Sequence, residues 1–334
     1  MYFLFVVMND SVKLFVLYLT GGCALPLLFR VLMGDVQGII EKQTVNDTVN
    51  VRGSSSYYEN YHSMQEIYRW MEAVVKVHSD LLQKIYIGSS YEKRPLYVLK
   101  EKSKNAIWID CGIHAREWIS PAFCLWFIGH VSTQSHLITR DRTMTTLLEH
   151  FDFYVMPVIN VDGYAYTWSH PSVRSPFLKG CPGASHFECQ ETYCGPYPES
   201  EPEVKAVARF IRDHKDTIKA YITMHSYSQL VLFPYSYTMN KSKDHEDLAQ
   251  KAAKAIKRTT WKTYRPGAGA QTIYLAPGGS DDWAYDLGIK YSFTFELRDT
   301  GTYGFLLPPR EIKPTCLEAL SAVKEIAQHV LQNL

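Results

Sequence analysis

The sequence predicts an α/β fold, a single domain in which helices cover both faces of a mixed, mostly parallel central sheet. The first observation is that apolar, β-branched runs of strand length alternate with segments of helical periodicity. The second is that several runs are apolar throughout, as expected for strands buried on both faces. The third is that no linker interrupts the chain after residue 53, while 46% of its 334 residues are hydrophobic.

The predicted elements follow one another in order along the chain. Apolar residues at three- and four-residue steps, from Ile67 to Val77, indicate a first helix. Strands are predicted at 82–87, 96–100, 106–110, 151–160, 218–225, 230–234 and 291–297. Further helices are predicted near 121–131, 202–214, 244–259, 280–287 and 314–331. Ser120 and Ser280 are the predicted N-caps of two of these helices, with Pro121 at a first helical position.

Residues 1–34 differ in character from the rest of the sequence. Residues 14–20 are apolar, follow Lys13, and lead to Gly22-Cys23-Ala24, which is similar to a signal-peptidase site. This run is too short to span a bilayer, so the pattern indicates a secretory leader and no membrane partner. An alternative translation start is the competing interpretation.

Residues 35–52 are polar and end at a candidate cleavage site. Arg52 is followed by Gly53 and three serines, and nicking by proteases concentrates at such exposed segments of small residues. A trypsin-like protease is therefore an expected partner. We divide the chain into residues 1–52 and a domain at 53–334.

The charge balance gives no indication of a nucleic-acid partner, and the cysteine content indicates the cellular compartment. Lysine plus arginine (35) nearly equals aspartate plus glutamate (34), and no basic run indicates a nucleic-acid partner. Seven cysteines suit an oxidising compartment. Together with the leader, they predict a secreted, extracellular protein.

Metal-ligand side chains follow two of the predicted strands. His114 and Glu117 come shortly after the strand at 106–110, and His225 ends the strand at 218–225. Imidazole and carboxylate both suit zinc, which takes three protein ligands and one water in catalytic sites. A His-x-x-Glu spacing alone is weak evidence, and a surface charge beside a hydrogen-bonding imidazole is the alternative.

Three further charged residues each have two interpretations. Glu296, at the end of the strand at 291–297, is either a general base or the partner of Arg298. Arg116 lies between two candidate ligands and is either a substrate contact or part of a buried ion pair. Asp281 is either an acid in the first turn of a helix or a charge that selects substrates.

Three stretches carry a resemblance to a known family. They are CGIHAREW at 111–118, HSYSQ at 225–229 and FTFELRDTG at 293–301. Together they resemble the zinc metallocarboxypeptidases of the pancreatic A/B type. The resemblance extends from about Val36 to Leu334.

The resemblance implies a role for each site residue and one zinc ion per chain. His114, Glu117 and His225 would bind the metal, and Glu296 would act as general base. The implied substrate-binding residues are Arg116, Tyr227, Tyr274 and Asp281. Tyr274 would close over the substrate's terminal carboxylate, although most tyrosines have structural roles. Asp281 would lie at the bottom of the side-chain pocket and select Arg or Lys, the B-type specificity.

The resemblance also implies covalent features. Disulfides would join Cys111 to Cys124 and Cys181 to Cys194, while Cys189 lacks its family partner and would be free. Cys316 is expected to be a buried free thiol. Residues 1–52 would be a leader and the remnant of a pro-segment, separated from the enzyme at Arg52-Gly53. The implied activity is release of C-terminal Arg or Lys from peptides and proteins, and its action on partly digested fibrin would restrain clot lysis.

One segment departs from the family pattern. Between Trp168 and Cys181 the family carries an arginine that stabilises the oxyanion and an Asn-Arg pair that holds the substrate carboxylate. This chain has SHPSVRSPFLKG at 169–180, with no Asn-Arg-Asn motif, and the role of the missing arginine is not transferred to Arg174. The alternative function is therefore a zinc-binding but catalytically weak binding protein, or an aberrant product, without the substrate clamp.

Overall fold

An eight-stranded sheet forms the centre of the structure. The structure is a computed structural model that describes residues 6–8, 11–13, 57–100, 105–134, 141–169, 195–243 and 245–334. Two short N-terminal strands, β1 (Val6–Met8) and β2 (Ser11–Lys13), pair antiparallel. The predictions for the apolar run at 14–20 and the signal-peptidase site at 22–24 lie outside the described residues, as do those for Arg52-Gly53, for Arg174 and for the cysteines at 23, 181, 189 and 194.

The sheet is mixed, with four parallel and three antiparallel pairs. Its strands are β3 (Gln83–Ser89), β4 (Pro95–Lys100), β5 (Asn105–Cys111), β6 (Phe151–Met156), β7 (Ile218–Ser226), β8 (Leu230–Phe233), β9 (Arg265–Ala268) and β10 (Tyr291–Leu297). They are arranged in the order β3-β4-β6-β5-β7-β10-β8-β9. The central strands β6, β5, β7 and β10 run parallel, so their carboxyl ends meet at one edge.

Nine helices accompany the sheet in the described ranges. They are α1 (Met64–Val77), α2 (Ile119–Gln134), α3 (Arg142–His150), α4 (Val161–Ser169), α5 (Pro202–His214), α6 (Glu246–Thr260), α7 (Gly269–Thr272), α8 (Ser280–Asp286) and α9 (Ile312–Gln332). Two 3₁₀ turns occupy Tyr57–Glu59 and Pro309–Glu311. Within the described ranges, no helix combines the length and apolar character required to cross a membrane.

Helices pack on both faces of the central strands, as the sequence predicts. On one face Phe210 of α5 lies 5.7 Å from Trp108 and 5.5 Å from Tyr154, measured between ring centroids. On the other face Phe127 of α2 lies 5.3 Å from Phe153. Neighbouring residues of a strand point to opposite faces, so Phe153 contacts one helix layer and Tyr154 contacts the other.

Several predicted boundaries are wrong for identifiable reasons. The strand predicted at 151–160 ends at Met156, because Pro157 has no N–H to donate, and α4 begins five residues later. The short helices α3, α4 and α7 and the edge strand β9 were not predicted. Gly279, not Ser280, is the N-cap of α8.

Ser120 is not an N-cap, because α2 already begins at Ile119. Its hydroxyl accepts a hydrogen bond from the backbone N–H of Gly112 at 3.0 Å and donates one to the carbonyl of Met224. Ser120 therefore joins the start of α2 to the carboxyl ends of β5 and β7.

Candidate metal centre and substrate cavity

His114, Glu117 and His225 come together where β5 and β7 end. Gly112 turns the chain out of β5 with φ of +65°, and a Cβ at this position would lie 3.1 Å from Pro121. The loop that follows carries His114 and Glu117, whereas His225 is the penultimate residue of β7. The three side chains offer ligand atoms that all lie within 4.8 Å of one another.

The geometry of this cluster fits a small cation. Nδ1 of His114 lies 2.8 Å from Oε1 of Glu117, and Nδ1 of His225 lies 3.1 Å from both Nδ1 of His114 and Oε2 of Glu117. Ligands of a tetrahedral zinc ion with bonds of about 2.1 Å are separated by roughly 3.4 Å. Two imidazole nitrogens and a carboxylate that converge in this way need a cation between them or a shared proton.

The electrostatics of the cluster favour an anionic Glu117. Burial alone would raise the pKa of Glu117, but His114 and His225 outweigh it and lower this pKa to about 2. Burial would lower the pKa of His225, whereas Glu117 raises it to about 9. A doubly charged cation would replace these protons, because metal binding requires unprotonated ligands.

Glu296 lies beside His225 on the next strand. Strand β10 runs parallel to β7, and its register places Glu296 opposite His225. Burial, followed by the charge of Glu117, raises the pKa of Glu296 to about 8. The alternative pairing with Arg298 is not observed, since Arg298 forms its ion pairs with Glu311 and Glu318.

A cavity of about 670 Å³ extends from the metal cluster into the fold. Its lining includes His225, Glu296 and Asp281. Asp281 is only 2% exposed, and its Oδ2 has no hydrogen-bond partner among the described residues. Burial raises the pKa of Asp281, because an anion loses its hydration there. The helix-capping alternative does not account for a side chain that lines the cavity.

The neighbouring acid, Asp282, has a different role. Its carboxylate accepts hydrogen bonds from the backbone N–H groups of Ser236 and Tyr237, the shortest of which is 2.8 Å. These contacts hold the segment after β8 against α8, and Ser236 of this segment lines the cavity. Asp282 therefore shapes the cavity wall without entering it.

The remaining predicted site residues lie around the mouth of the site. The guanidinium of Arg116 stacks over the ring of Phe305 at 4.2 Å, and the ring of Tyr227 meets Phe305 edge-on at 4.9 Å. Tyr274 lines the cavity but is 64% exposed. Sequence reasoning missed Phe305, because nothing in the surrounding residues marks it as a neighbour of Arg116.

The described cysteines follow the implied pattern. Cys111, at the end of β5, and Cys124, in α2, form a disulfide with a Cα–Cα distance of 6.3 Å. Cys316 is a buried free thiol in α9.

Comparisons with known proteins establish the family of this chain. The profile of the zinc carboxypeptidase family matches residues 67–322. Carboxypeptidase B2 of Rattus norvegicus is 61% identical over 335 residues, which cover 91% of this chain and 79% of the rat protein. Carboxypeptidase B2 of Homo sapiens is 58% identical over 334 residues, covering 91% of this chain and 78% of the human protein.

A solved structure extends the similarity to the fold. The crystal structure of thrombin activatable fibrinolysis inhibitor superposes with a TM-score of 0.85 at 54% identity, covering 92% of this chain and 84% of that one. The chain is a member of the zinc carboxypeptidase family, and zinc is its metal cofactor.

Proposed function

We infer that this metallocarboxypeptidase releases C-terminal Arg or Lys from peptides and proteins. The observation that carries the proposal is the position of Asp281, a buried carboxylate that lines the cavity and has one oxygen without a hydrogen-bond partner among the described residues. An unpaired buried charge is costly, and a guanidinium or ammonium group would neutralise it. An apolar side chain would leave the charge buried and unpaired, so the cavity discriminates against it.

Each remaining residue has a role that follows from its place. When bound between His114, Glu117 and His225, zinc would polarise a peptide carbonyl and lower the pKa of a water molecule. Glu296 would accept the proton of that water and pass it to the leaving amine. Tyr274, at the exposed mouth, would cover the terminal carboxylate of the substrate.

Arg116 and Tyr227 would line the approach to the metal. Their common contact with Phe305 links Tyr227 to Arg116, which belongs to the loop that carries two of the ligands. Arg116 would contact substrate carbonyl groups, and Tyr227 would line the neighbouring subsite. The missing Asn-Arg-Asn motif leaves no residue assigned to grip the substrate carboxylate from the opposite side.

The physiological setting forms part of the proposal. Two of the similar proteins are carboxypeptidase B2 enzymes, and the similar crystal structure is of a fibrinolysis inhibitor activated by thrombin. We expect the chain to be secreted and cleaved after Arg52 by a trypsin-like protease. Its action on fibrin fragments would then restrain clot lysis. The family match and the high identity to carboxypeptidase B2 do not favour the alternative of a zinc-binding but catalytically weak binding protein or aberrant product.

The test compares turnover with metal content in the full chain, before and after limited trypsin treatment. Small peptides ending in Arg, Lys, Leu or Phe are the substrates, and zinc is measured by atomic emission. We expect about one zinc per chain, preference for Arg and Lys, and loss of activity with a chelator that zinc restores. Preference for Leu or Phe would refute the assigned specificity, and zinc-loaded protein without turnover would refute the enzymatic role.

A further inference from the structure

A chain of buried hydrogen bonds leads from the sheet interior to the metal ligand His225. Nε1 of Trp108 donates to Oδ2 of Asp110 at 2.7 Å, and Oγ1 of Thr223 donates to Oδ1 of Asp110 at 2.6 Å. The same Oγ1 lies 3.2 Å from Nε2 of His225. Trp108, Asp110 and Thr223 are each 1% exposed or less, so water does not compete for these bonds.

The register of the sheet sets up this arrangement. Strands β5 and β7 are parallel neighbours, and Asp110 lies opposite Thr223. Thr223 and His225 are two residues apart on β7 and therefore point to the same face. The carboxylate, hydroxyl and imidazole are thus held in line by backbone pairing rather than by flexible loops.

The hydrogen bonds that link Trp108 to His225 can be given only one set of donors and acceptors. The indole N–H can only donate, and an ionised carboxylate can only accept. The single hydroxyl proton of Thr223 therefore points to Asp110, and its oxygen presents a lone pair to Nε2 of His225. In the neutral ring, the form that binds a metal, Nε2 then carries the proton, which leaves Nδ1 as the unprotonated nitrogen. Nδ1 is the atom that lies 3.1 Å from both His114 and Glu117.

We propose that Asp110 and Thr223 are positioning residues that fix the tautomer and ring orientation of His225 for zinc binding. A metal-binding histidine commonly donates its second N–H to a fixed acceptor, which raises its basicity and prevents rotation. Here the acceptor is a hydroxyl polarised by a buried carboxylate. Burial raises the pKa of Asp110, but the hydroxyl, phenol and indole donors of Thr223, Tyr221 and Trp108 stabilise the anion.

Three substitutions separate positioning from simple packing. Thr223→Val removes the hydroxyl and keeps the side-chain shape, whereas Thr223→Ser keeps the hydroxyl. Asp110→Asn is more specific, because the fixed indole N–H of Trp108 requires the amide oxygen on its side. The amide NH₂ then faces Thr223 and turns the hydroxyl proton towards His225. This reversal favours the tautomer protonated at Nδ1, which opposes metal binding.

Zinc affinity, measured by competition with a chromophoric chelator, is the main readout. We expect Thr223→Val and Asp110→Asn to weaken zinc binding by about 10–100-fold, the usual effect of losing such a partner. Thr223→Ser should restore the affinity. Thr315→Val in α9 is a matched control, since it removes another buried threonine hydroxyl, one that donates to the carbonyl of Glu311 in the preceding turn.

Two further measurements test whether each variant folds and which tautomer His225 adopts. Urea unfolding of the zinc-free variants shows whether each one folds. ¹⁵N spectra of zinc-free, histidine-labelled protein, recorded above the His225 pKa of about 9, report which nitrogen of the neutral ring is protonated. Wild-type zinc affinity in a folded Thr223→Val variant would overturn the proposal, as would an unchanged His225 tautomer in Asp110→Asn. If Asp110→Asn does not fold, Thr223→Val alone decides. These readouts concern the metal centre and are independent of the substrate proposed above.

Discussion

Replacing Asp281 with Asn removes one charge from the cavity and preserves the shape of the side chain. The native carboxylate is 2% exposed, and no residue that the structure describes bonds its Oδ2, so a bound guanidinium would be its counter-ion. Removing one partner of such a buried charged pair costs about 2–5 kcal/mol. At 1.36 kcal/mol per tenfold change, this corresponds to a loss of about 30- to 5,000-fold in kcat/KM for Arg-terminated substrates.

The assay is the ratio of kcat/KM for two small peptides that differ only in a terminal Arg or Leu. We expect the ratio to fall by the factor above in Asp281→Asn, while the Leu value stays the same or rises. The matched control is Asp286→Asn on the same helix, because Asp286 is exposed and bonded to Tyr235 at 2.9 Å. An unchanged ratio in Asp281→Asn would refute the reasoning.

The same variant has a second expected effect. Burial raises the pKa of Asp281, so the ionised form destabilises the native state at neutral pH and above. Asp281→Asn should therefore unfold at a higher urea concentration than the wild type at pH 8. This measurement also shows whether a loss of preference arises in a folded protein.

Four other predictions follow from the site and its surroundings. Glu296→Gln should retain zinc but lose about 10²–10⁴-fold in kcat, measured alongside metal content, because the general base is gone. Replacing Cys111 and Cys124 with alanine should lower the free energy of unfolding in urea by about 2–4 kcal/mol. Burial raises the pKa of Asp282 to about 7, so the native state keeps a proton that the unfolded state releases. The stability of the metal-free protein should consequently fall as pH rises from about 4 to 7, and Asp282→Asn should make this slope shallower in urea titrations. Because residues 169–180 lack the expected arginine, we expect kcat about 10²–10³-fold below that of the rat relative at equal zinc content; equal turnover would contradict this.

Long apolar strands made much of the fold predictable from sequence. Strand β10 and helix α5 have the predicted bounds, because each is a continuous run of one periodicity with a clear start. His225 and Glu296 were identified because a polar side chain at the end of such a run is unusual. Their adjacency is a property of parallel pairing, which a single sequence does not reveal.

Side chains with distant partners were the least predictable. Ser120 has the composition of an N-cap, yet its hydroxyl bonds backbone groups 8 and 104 residues away. Local preference thus gave way to tertiary contacts. Phe305 was missed for the same reason. It contacts Arg116, but the two residues are far apart along the sequence, so no local pattern indicates the contact.

The disulfide between Cys111 and Cys124 encloses both His114 and Glu117 in a short covalent ring. Closing a ring of this size removes conformational freedom from the ligand loop whether or not a metal is bound. We therefore expect metal exchange to reorganise side chains more than backbone, and another divalent ion of similar size to replace zinc without refolding. By linkage, we also expect a thiol reductant that opens the ring to weaken metal binding, and a bound metal to protect the disulfide from reduction to the same extent.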